Sequence, residues 1–583
     1  MLIMDGEWVR KIVGDAVRTC RKAALPMDPT AWTRVGKWAV RKCSASHPHG
    51  VPLGPHMDPH CIPYAATGRF SPLVVDYLAG DERLREHAPL RPDLAGLQQA
   101  ANDRTFDPKV RAVLVEALER QYMGLPVDPA VRANLDRLAR PEALTVTTGH
   151  QLVLFGGPLY VPFKILNIIR LAGELSKELA RPVIPVFWMA SEDHDRAEID
   201  HTYFNGHKLQ WAGAAGGPVG HLPLTGIDAV VEEALTQLGP GAERDRMAEL
   251  LKACYRPEHT LAQATRLFVN AVYGQHGLVI LDGDDPALKR LFIPVMQEEL
   301  LNQVAERSVR YANDKLGPDY KVQAFAREIN LFHLRPGHRS RITLEGDGYR
   351  VLDGGPHFTM DQLLAELQAH PEHFSPNVLM RPLYQECILP NIAYVGGGGE
   401  LAYWLQLRWL FQSMQVPMPV LLLRTSAAFL SAKRMAHWKD LGLTVADLFA
   451  DQGPLQARMA AARVDFRTEL DKERTALIGI YASIAATAVA ADSTLSGAVE
   501  ARRAAALSGT ERLEKSLVRA AKRQQAEVLH RMQAVQQELF PGGGLQERRE
   551  NILPQLASRG EDYLADLMGK LDPLDARFTL LVE

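Results

Sequence analysis

Seven consecutive residues, Val183–Met189 (VIPVFWM), carry no charge and hardly a polar atom, with Pro182 before them and Ser191-Glu192-Asp193-His194-Asp195 just after. A strand of this kind is buried on both faces, as parallel strands covered by helices are. Upstream, residues 143–147 form a short β-branched run. After a loop, Ile165, Ile168, Ala172, Leu175 and Leu179 recur at three- and four-residue spacing. That spacing is the stripe of a helix packed on one face. Strand, helix and strand in this order form a β-α-β unit with a right-handed crossover. Further strand candidates at 277–281, 392–395 and 419–423 extend the alternation, which predicts an α/β protein with a doubly wound open sheet. Residues 206–275, with the turn region GAAGGPVGH, are read as an insertion between sheet strands.

A chain of 583 residues exceeds one ordinary core, so two or more domains are expected. With 66 basic against 69 acidic residues, the chain has no global field for capturing nucleic acid or an anionic membrane. The longest uninterrupted apolar runs, 183–190 and 417–423, fall far short of the roughly 20 residues a membrane helix needs. No secretory pattern opens the sequence. Five cysteines (Cys20, Cys43, Cys61, Cys254, Cys387) without a CxxC pair make no disulfide framework, and reduced thiols in a cytoplasmic protein are expected.

Residues 1–56 hold nine Lys or Arg against four Asp or Glu and end in SASHPHGVPLGPH. With weak apolar periodicity they read as a poorly ordered or added segment, and the functional protein is expected to start near Met57. His47, His49, His56, His60 and Cys61 match no standard zinc spacing. The core is expected over 57–435, and the last third differs from it. Leu455, Met459, Phe466, Leu470, Leu477, Ile480 and Ile484 step by three, four or seven. After a break near 492–497, Val528, Met532, Val535 and Leu539 do the same. This is heptad spacing on two long helices, an antiparallel coiled-coil arm over 436–545, with a globular helical bundle as the alternative. Residues 546–583 end in LDPLDARFTLLVE, a last strand returning to the core.

In open α/β sheets ligands sit beyond the carboxyl ends of the strands, which makes three loops candidates. The first runs over 147–160 and contains Thr148, Gly149, His150, Gln151 and Tyr160. Its small residues would let backbone approach a ligand, and the helix after Pro158 would aim N–H groups at an anion. It matches neither a Walker loop nor GxGxxG. The second, 191–195, places three carboxylates and an imidazole at a buried strand's end, where they need water, a metal or a substrate. Glu192, Asp193 and His194 are candidates for a general base or an ammonium site, and His194, Asp195, Asp200 and His201 for a metal cluster. Helix capping, which favours Glu and Asp in a first turn, would account for two of the four polar residues at 192–195 and rarely for all. The third, 390–404, includes Asn391, Tyr394, Gly396, Gly397, Glu400 and Tyr403. Four glycines there would form an anion nest, while Glu400 favours an amine or hydroxyl ligand. Arg381, just upstream, is a clamp for carboxylate or phosphate.

Together these loops resemble a known family. TTGHQLVLFGGPLYVPFK, PVFWMASEDHDRAEIDH, SPNVLMRPLYQECILPNIAYVGGGGELAYW and the opening HCIPYAATGRFSPLVVDYL are similar to BshC, the cysteine-adding enzymes of bacillithiol biosynthesis. The resemblance runs from about Met57 to the end. It implies a Rossmann-like core with connecting insertions and a helical coiled-coil arm that mediates dimers. It also implies a ligase that joins cysteine through an amide to the amine of glucosaminyl malate. His150 stands where the family usually has Gln, Ser191 where Gly is common, and Gly398 where Pro is common.

On this resemblance, His150 and Gln151 line the acyl-activation site, and Glu192, Asp193 and His194 hold and deprotonate the amine. Asn391, Tyr394 and the 396–400 loop line the sugar-malate site, with Arg381 for malate's carboxylates. Amide formation needs an activated carboxyl, which makes ATP a chemically reasonable co-substrate, although no phosphate motif marks a site for it and no KMSKS-like loop is evident. Two other classes stay open: a metal-dependent hydrolase using the Glu192 to His201 cluster, and a non-catalytic coiled-coil scaffold.

Overall fold

A computed structural model describes residues 57–213, 216–241, 243–560 and 562–583. The expectations placed on residues 1–56, with His47, His49 and His56, lie outside the described residues. Strand β1 (Asp58–Pro63) is the first element of the described residues, and five α-helices and one 3-10 turn lead from it to β2 (Leu144–His150). A long helix, Tyr160–Glu178, connects β2 to β3 (Val183–Met189). Every side chain of β3 is buried, as its lack of polar atoms requires. A short helix (Arg196–Ile199), the β4–β5 hairpin (His201–Phe204 and His207–Gln210) and three longer α-helices intervene before β6 (Val279–Asp282).

Between β6 and β12 lies a second, larger excursion that the strand pattern did not mark off. Its five-stranded sheet is made of β7 (Leu331–Arg335), β8 (His338–Glu345), β9 (Gly348–Val351), β10 (His357–Thr359) and β11 (Phe374–Pro376), in the order β10-β9-β8-β7-β11, all antiparallel. The chain then re-enters the core as β12 (Asn391–Gly396) and β13 (Val420–Leu423).

The core sheet is wholly parallel, in the order β13-β12-β2-β3-β6. Counting only core strands, that is 3-2-1-4-5 read from β6, the order of a doubly wound nucleotide-binding half. Its direction reverses between β2 and β12, so a crevice opens beyond their carboxyl ends. The expected Rossmann-like α/β core is therefore present.

Helix Tyr160–Glu178 is buried well beyond a single stripe; even Lys164 and Asn167 are covered. The reason is a second layer. Strand β15 (Arg577–Val582) runs antiparallel to β1 and parallel to β14 (Ala427–Leu430), closing a small sheet. The final helix packs on the same long helix, whose Asn167 and Arg170 bond Leu571 O and Met568 O. The tail thus returns to the core as a strand.

The coiled-coil arm is a helical hairpin, but its helices and seam differ from the heptad reading. Leu455 and Met459 lie on a short helix, Gln452–Ala461, and residues 462–470 are not helical. The arm proper pairs Asp471–Ala491 with Ser496–Gln524, antiparallel, with Arg474 bonded to Glu514. Along Asp471–Ala491 the partly covered positions are Arg474, Leu477, Tyr481, Ala485 and Ala488, whereas Ile480 is 54% and Ile484 45% exposed. Ala takes little space, so the tighter seam runs along the alanines and leaves the isoleucines outside. Helix Asp471–Ala491 is also long and apolar enough, by length and composition, to cross a membrane. The uninterrupted-run criterion overlooked it because Gly, Ser, Thr and Tyr break its apolar residues.

Candidate active site at the reversal of strand order

Beyond the ends of β2 and β12 lies a cleft of about 670 Å³, closed on its far side by β7, β8 and the 376–378 segment. Of the expected residues, Gly149, His150, Gln151, Tyr160, Glu192, Asp193, His194, Arg381, Tyr394, Gly397, Glu400 and Tyr403 line it. Three do not. Thr148 is fully buried and bonds Val395 O. Gly396 is buried, its carbonyl accepting from Arg424 N. Asn391 sits at the opposite end of β12, where it accepts from Thr145 and Thr147 and donates to Glu386. A strand rises about 3.3 Å per residue, so the first residue of β12 cannot reach a ligand beyond the last.

The floor is an ion pair. Lys164, 1% exposed, donates to Gly149 O and to Glu400 Oε2, each at 2.6 Å. Glu400 also accepts from Tyr394 Oη at 2.5 Å and Gly397 N at 2.8 Å. Burial opposes its ionisation, but the Lys164 cation and these donors hold the carboxyl at about 2. The glycine loop therefore closes on its own glutamate. Gly156 and Gly157 do not line the cleft either. A Cβ on Gly157 would fall 2.1 Å from a Val153 methyl, and Asn551 bonds the carbonyls of Phe155 and Gly157. These glycines serve the turn. The next helix start has its Val161 and Phe163 N–H groups bonded to Pro158 O and Leu159 O.

His150 faces Tyr160, whose hydroxyl is 3.2 Å from Nε2. Burial first, and then the Lys164 charge, depress this imidazole to about 3, so it is neutral. Gln151 turns instead to the acidic loop and donates to Asp193 Oδ2 at 2.7 Å. Asp193 is half-buried, but Gln151, Arg339 and the His194 N–H hold its carboxyl below the ordinary range.

Arg339, on β8, donates to His194 Nδ1 at 2.8 Å, Ser375 Oγ at 3.1 Å and Pro376 O at 2.8 Å. Its donation leaves the proton of a neutral His194 on Nε2. Burial and the Arg339 charge both lower the His194 pKa. Glu192 is ion-paired at 2.7 Å to Lys289, which Asp284 shares at the same distance. Burial raises the Glu192 carboxyl, with Lys289 opposing.

Several residues of the cleft and of the buried ion pair beneath it carry no signal that the loop rule reads. Lys164 is a charge on an otherwise apolar helix stripe, which is a usable clue. Arg424 follows β13 directly, so applying the strand-end rule to the fifth strand would have found it. Its guanidinium is paired with Glu547 at 2.6 and 2.8 Å and lies over the Tyr160 ring. Arg327, Arg339, Arg341, Glu198 and Arg548 come from outside the three loops.

The metal-cluster alternative fails on geometry. Among the described residues, the His, Asp, Glu and Cys groups close enough to share an ion are His333/Glu366/His373 and His370/Glu372/His373. His194, Asp195, Asp200 and His201 do not converge. His201 pairs with Asp200, and Asp195 caps the short helix Arg196–Ile199.

Two family models divide the chain between them. The N-terminal Rossmann-like domain of bacillithiol biosynthesis BshC matches residues 57–425, and the C-terminal coiled-coil domain matches 427–583. The chain belongs to the BshC family. A Flavobacterium johnsoniae protein named "Putative cysteine ligase BshC" is 38% identical over 90% of this chain and 100% of its own length. Proteins of the same name from Flavobacterium psychrophilum (36% identical; 90% and 99% covered) and Geobacillus kaustophilus (28%; 81% and 89%) are also similar. BshC membership makes the chain an enzyme of the ligase class in bacillithiol biosynthesis and removes the scaffold alternative. The expected Rossmann-like and coiled-coil organisation agrees with both family models.

Proposed function

We propose that this enzyme forms an amide between the carboxyl of L-cysteine and the amine of glucosaminyl malate, giving bacillithiol as the last step of its synthesis. The observation carrying this reading is the charge pattern of the cleft. Arg327, Arg339, Arg341, Arg381, Arg424 and Arg548 line it together with two carboxylates held ionised, Asp193 and Glu400. Clustered guanidinium groups suit a ligand with several carboxylates or a phosphate, and an ionised aspartate suits an ammonium group.

The amine must lose a proton to attack. His194 is a poor acceptor because Arg339 occupies its basic nitrogen. Asp193 holds the ammonium, and Glu198, a cleft-lining carboxyl raised by burial, takes the proton. His194 then serves as an Nε2–H donor. Neutral His150, Tyr160 and Arg424 form the acyl side, and Arg381, between the Trp188 and Tyr394 rings, meets a malate carboxylate.

A carboxylate does not acylate an amine in water unaided, so ATP is the activating co-substrate in this reading. The cysteine carboxylate takes up a phosphoryl or adenylyl group from ATP, releasing ADP or diphosphate; the deprotonated amine then attacks the carbonyl carbon, and phosphate or AMP leaves. The enzyme works in the cytoplasm as a homodimer joined through the arm, where the exposed Ile480 and Ile484 offer apolar surface to the partner. The test is direct. Full-length enzyme, cysteine, glucosaminyl malate and ATP are expected to yield a thiol with the summed mass less one water, and none without ATP. No such thiol in the complete mixture would overturn the reading.

A further inference from the structure

We infer that His333, Glu366 and His373 form a binding site for a divalent transition metal of the zinc type, on the outer face of the sheet that closes the cleft. His333 lies on β7, is 4% exposed, and has no hydrogen-bond partner at either ring nitrogen. Its Nε2 stands 3.9 Å from Glu366 Oε1, and His373 Nδ1 stands 2.6 Å from the same oxygen. One donor atom from each residue falls within 4.8 Å of the others.

A buried imidazole with two unsatisfied nitrogens is expensive, whereas phenylalanine would fill the slot between Phe358 and Phe374 at no such cost. Two imidazoles and a carboxylate are donors for zinc rather than for calcium or magnesium. Glu366 and His373 are partly exposed, which gives the ion an entry path and a fourth, water-accessible position.

Three separate elements supply the donors. Glu366 comes from the helix Met360–Ala369, His373 from the turn before β11, and His333 from β7, where it pairs with Phe374. Side chains alternate along a strand, so Phe332 and His333 point to opposite faces, and Phe332 lines the cleft. The same turn meets the cleft twice. Glu372 O accepts from Lys289, the partner of Glu192, and Ser375 and Pro376 hold Arg339. The ion would therefore brace the wall that positions Arg339 and Glu192 while taking no part in the chemistry.

The experiment uses chelator-dialysed full-length protein titrated with ZnCl2 against a chromophoric competitor, with cobalt(II) spectra as a second readout. His373→Asn and Glu366→Gln alter partly exposed residues and are expected to keep the fold. Each should bind one equivalent fewer than the parent and lose the tetrahedral cobalt band and the zinc-induced rise in Tm. His333→Phe should do the same, and His370→Asn should leave all three unchanged. Equal stoichiometry in the parent, His373→Asn and Glu366→Gln overturns the site. Loss in His370→Asn with retention in His333→Phe also overturns it, because the ion would then lie on the outer His370/Glu372/His373 group.

Discussion

Lys164 Nζ lies 2.6 Å from Glu400 Oε2, and the pair bridges the helices that follow β2 and β12, where the sheet reverses direction. Breaking a buried pair strands the remaining charge, whereas removing both ions costs much less. Lys164→Met is therefore expected to destabilise by about 2–3 kcal/mol, discounted for the part-exposed glutamate. Lys164→Met with Glu400→Gln should recover at least half of that. Urea melts of the single and double variants check it, and strictly additive losses would refute the coupling.

His150 gives the pH dependence a definite sign. Its imidazole is depressed to about 3 in the folded chain, so the unfolded chain, near 6.5, binds a proton the folded one refuses. The stabilisation is fully present above pH 6.5 and is lost as pH falls from there toward 3. Between pH 7 and pH 5 the wild type should lose about 1–2 kcal/mol more than His150→Gln. Parallel denaturant melts at the two pH values measure the difference.

Arg339 holds His194, Ser375 and Pro376 at once. An ammonium cannot reproduce that planar fork. Arg339→Lys should thus lose about as much kcat/KM as Arg339→Ala, on the order of 100-fold, or about 3 kcal/mol. The His194 pKa should rise in Arg339→Ala, readable by NMR titration. Rescue by lysine would show that charge alone suffices.

The exposed pair on the arm tests the dimer separately from catalysis. Ile480→Glu with Ile484→Glu is expected to give a monomer in sedimentation equilibrium, with the circular dichroism of the helices unchanged. A dimer that persists places the interface elsewhere.

The parts of this molecule legible in its sequence are those governed by local rules. The uncharged run of β3, the stripe of helix Tyr160–Glu178 and the polar loops at strand ends each follow from burial, and they located most of the cleft's inner wall. What periodicity could not supply was the contribution of distant elements. Arg339 sits in an ordinary hairpin, RPGHRSRI, and only tertiary packing brings it to His194. Asn391 misled because its loop was read as one unit, though a strand separates its two ends. Ile480 and Ile484 misled because apolarity was taken as the seam, when small side chains gave the closer approach.

The C-terminal segment carries Glu547, which neutralises Arg424, Arg548, which lines the cleft, and Asn551, which fixes the turn at Phe155. Strand β15 also pairs Val582 with Asp58, residues more than five hundred positions apart. On a ribosome emitting about 5–20 residues per second, the pocket therefore stays unfinished until the final segment emerges. Chains that stop short of β15 would leave the facing edges of β1 and β14 unpaired.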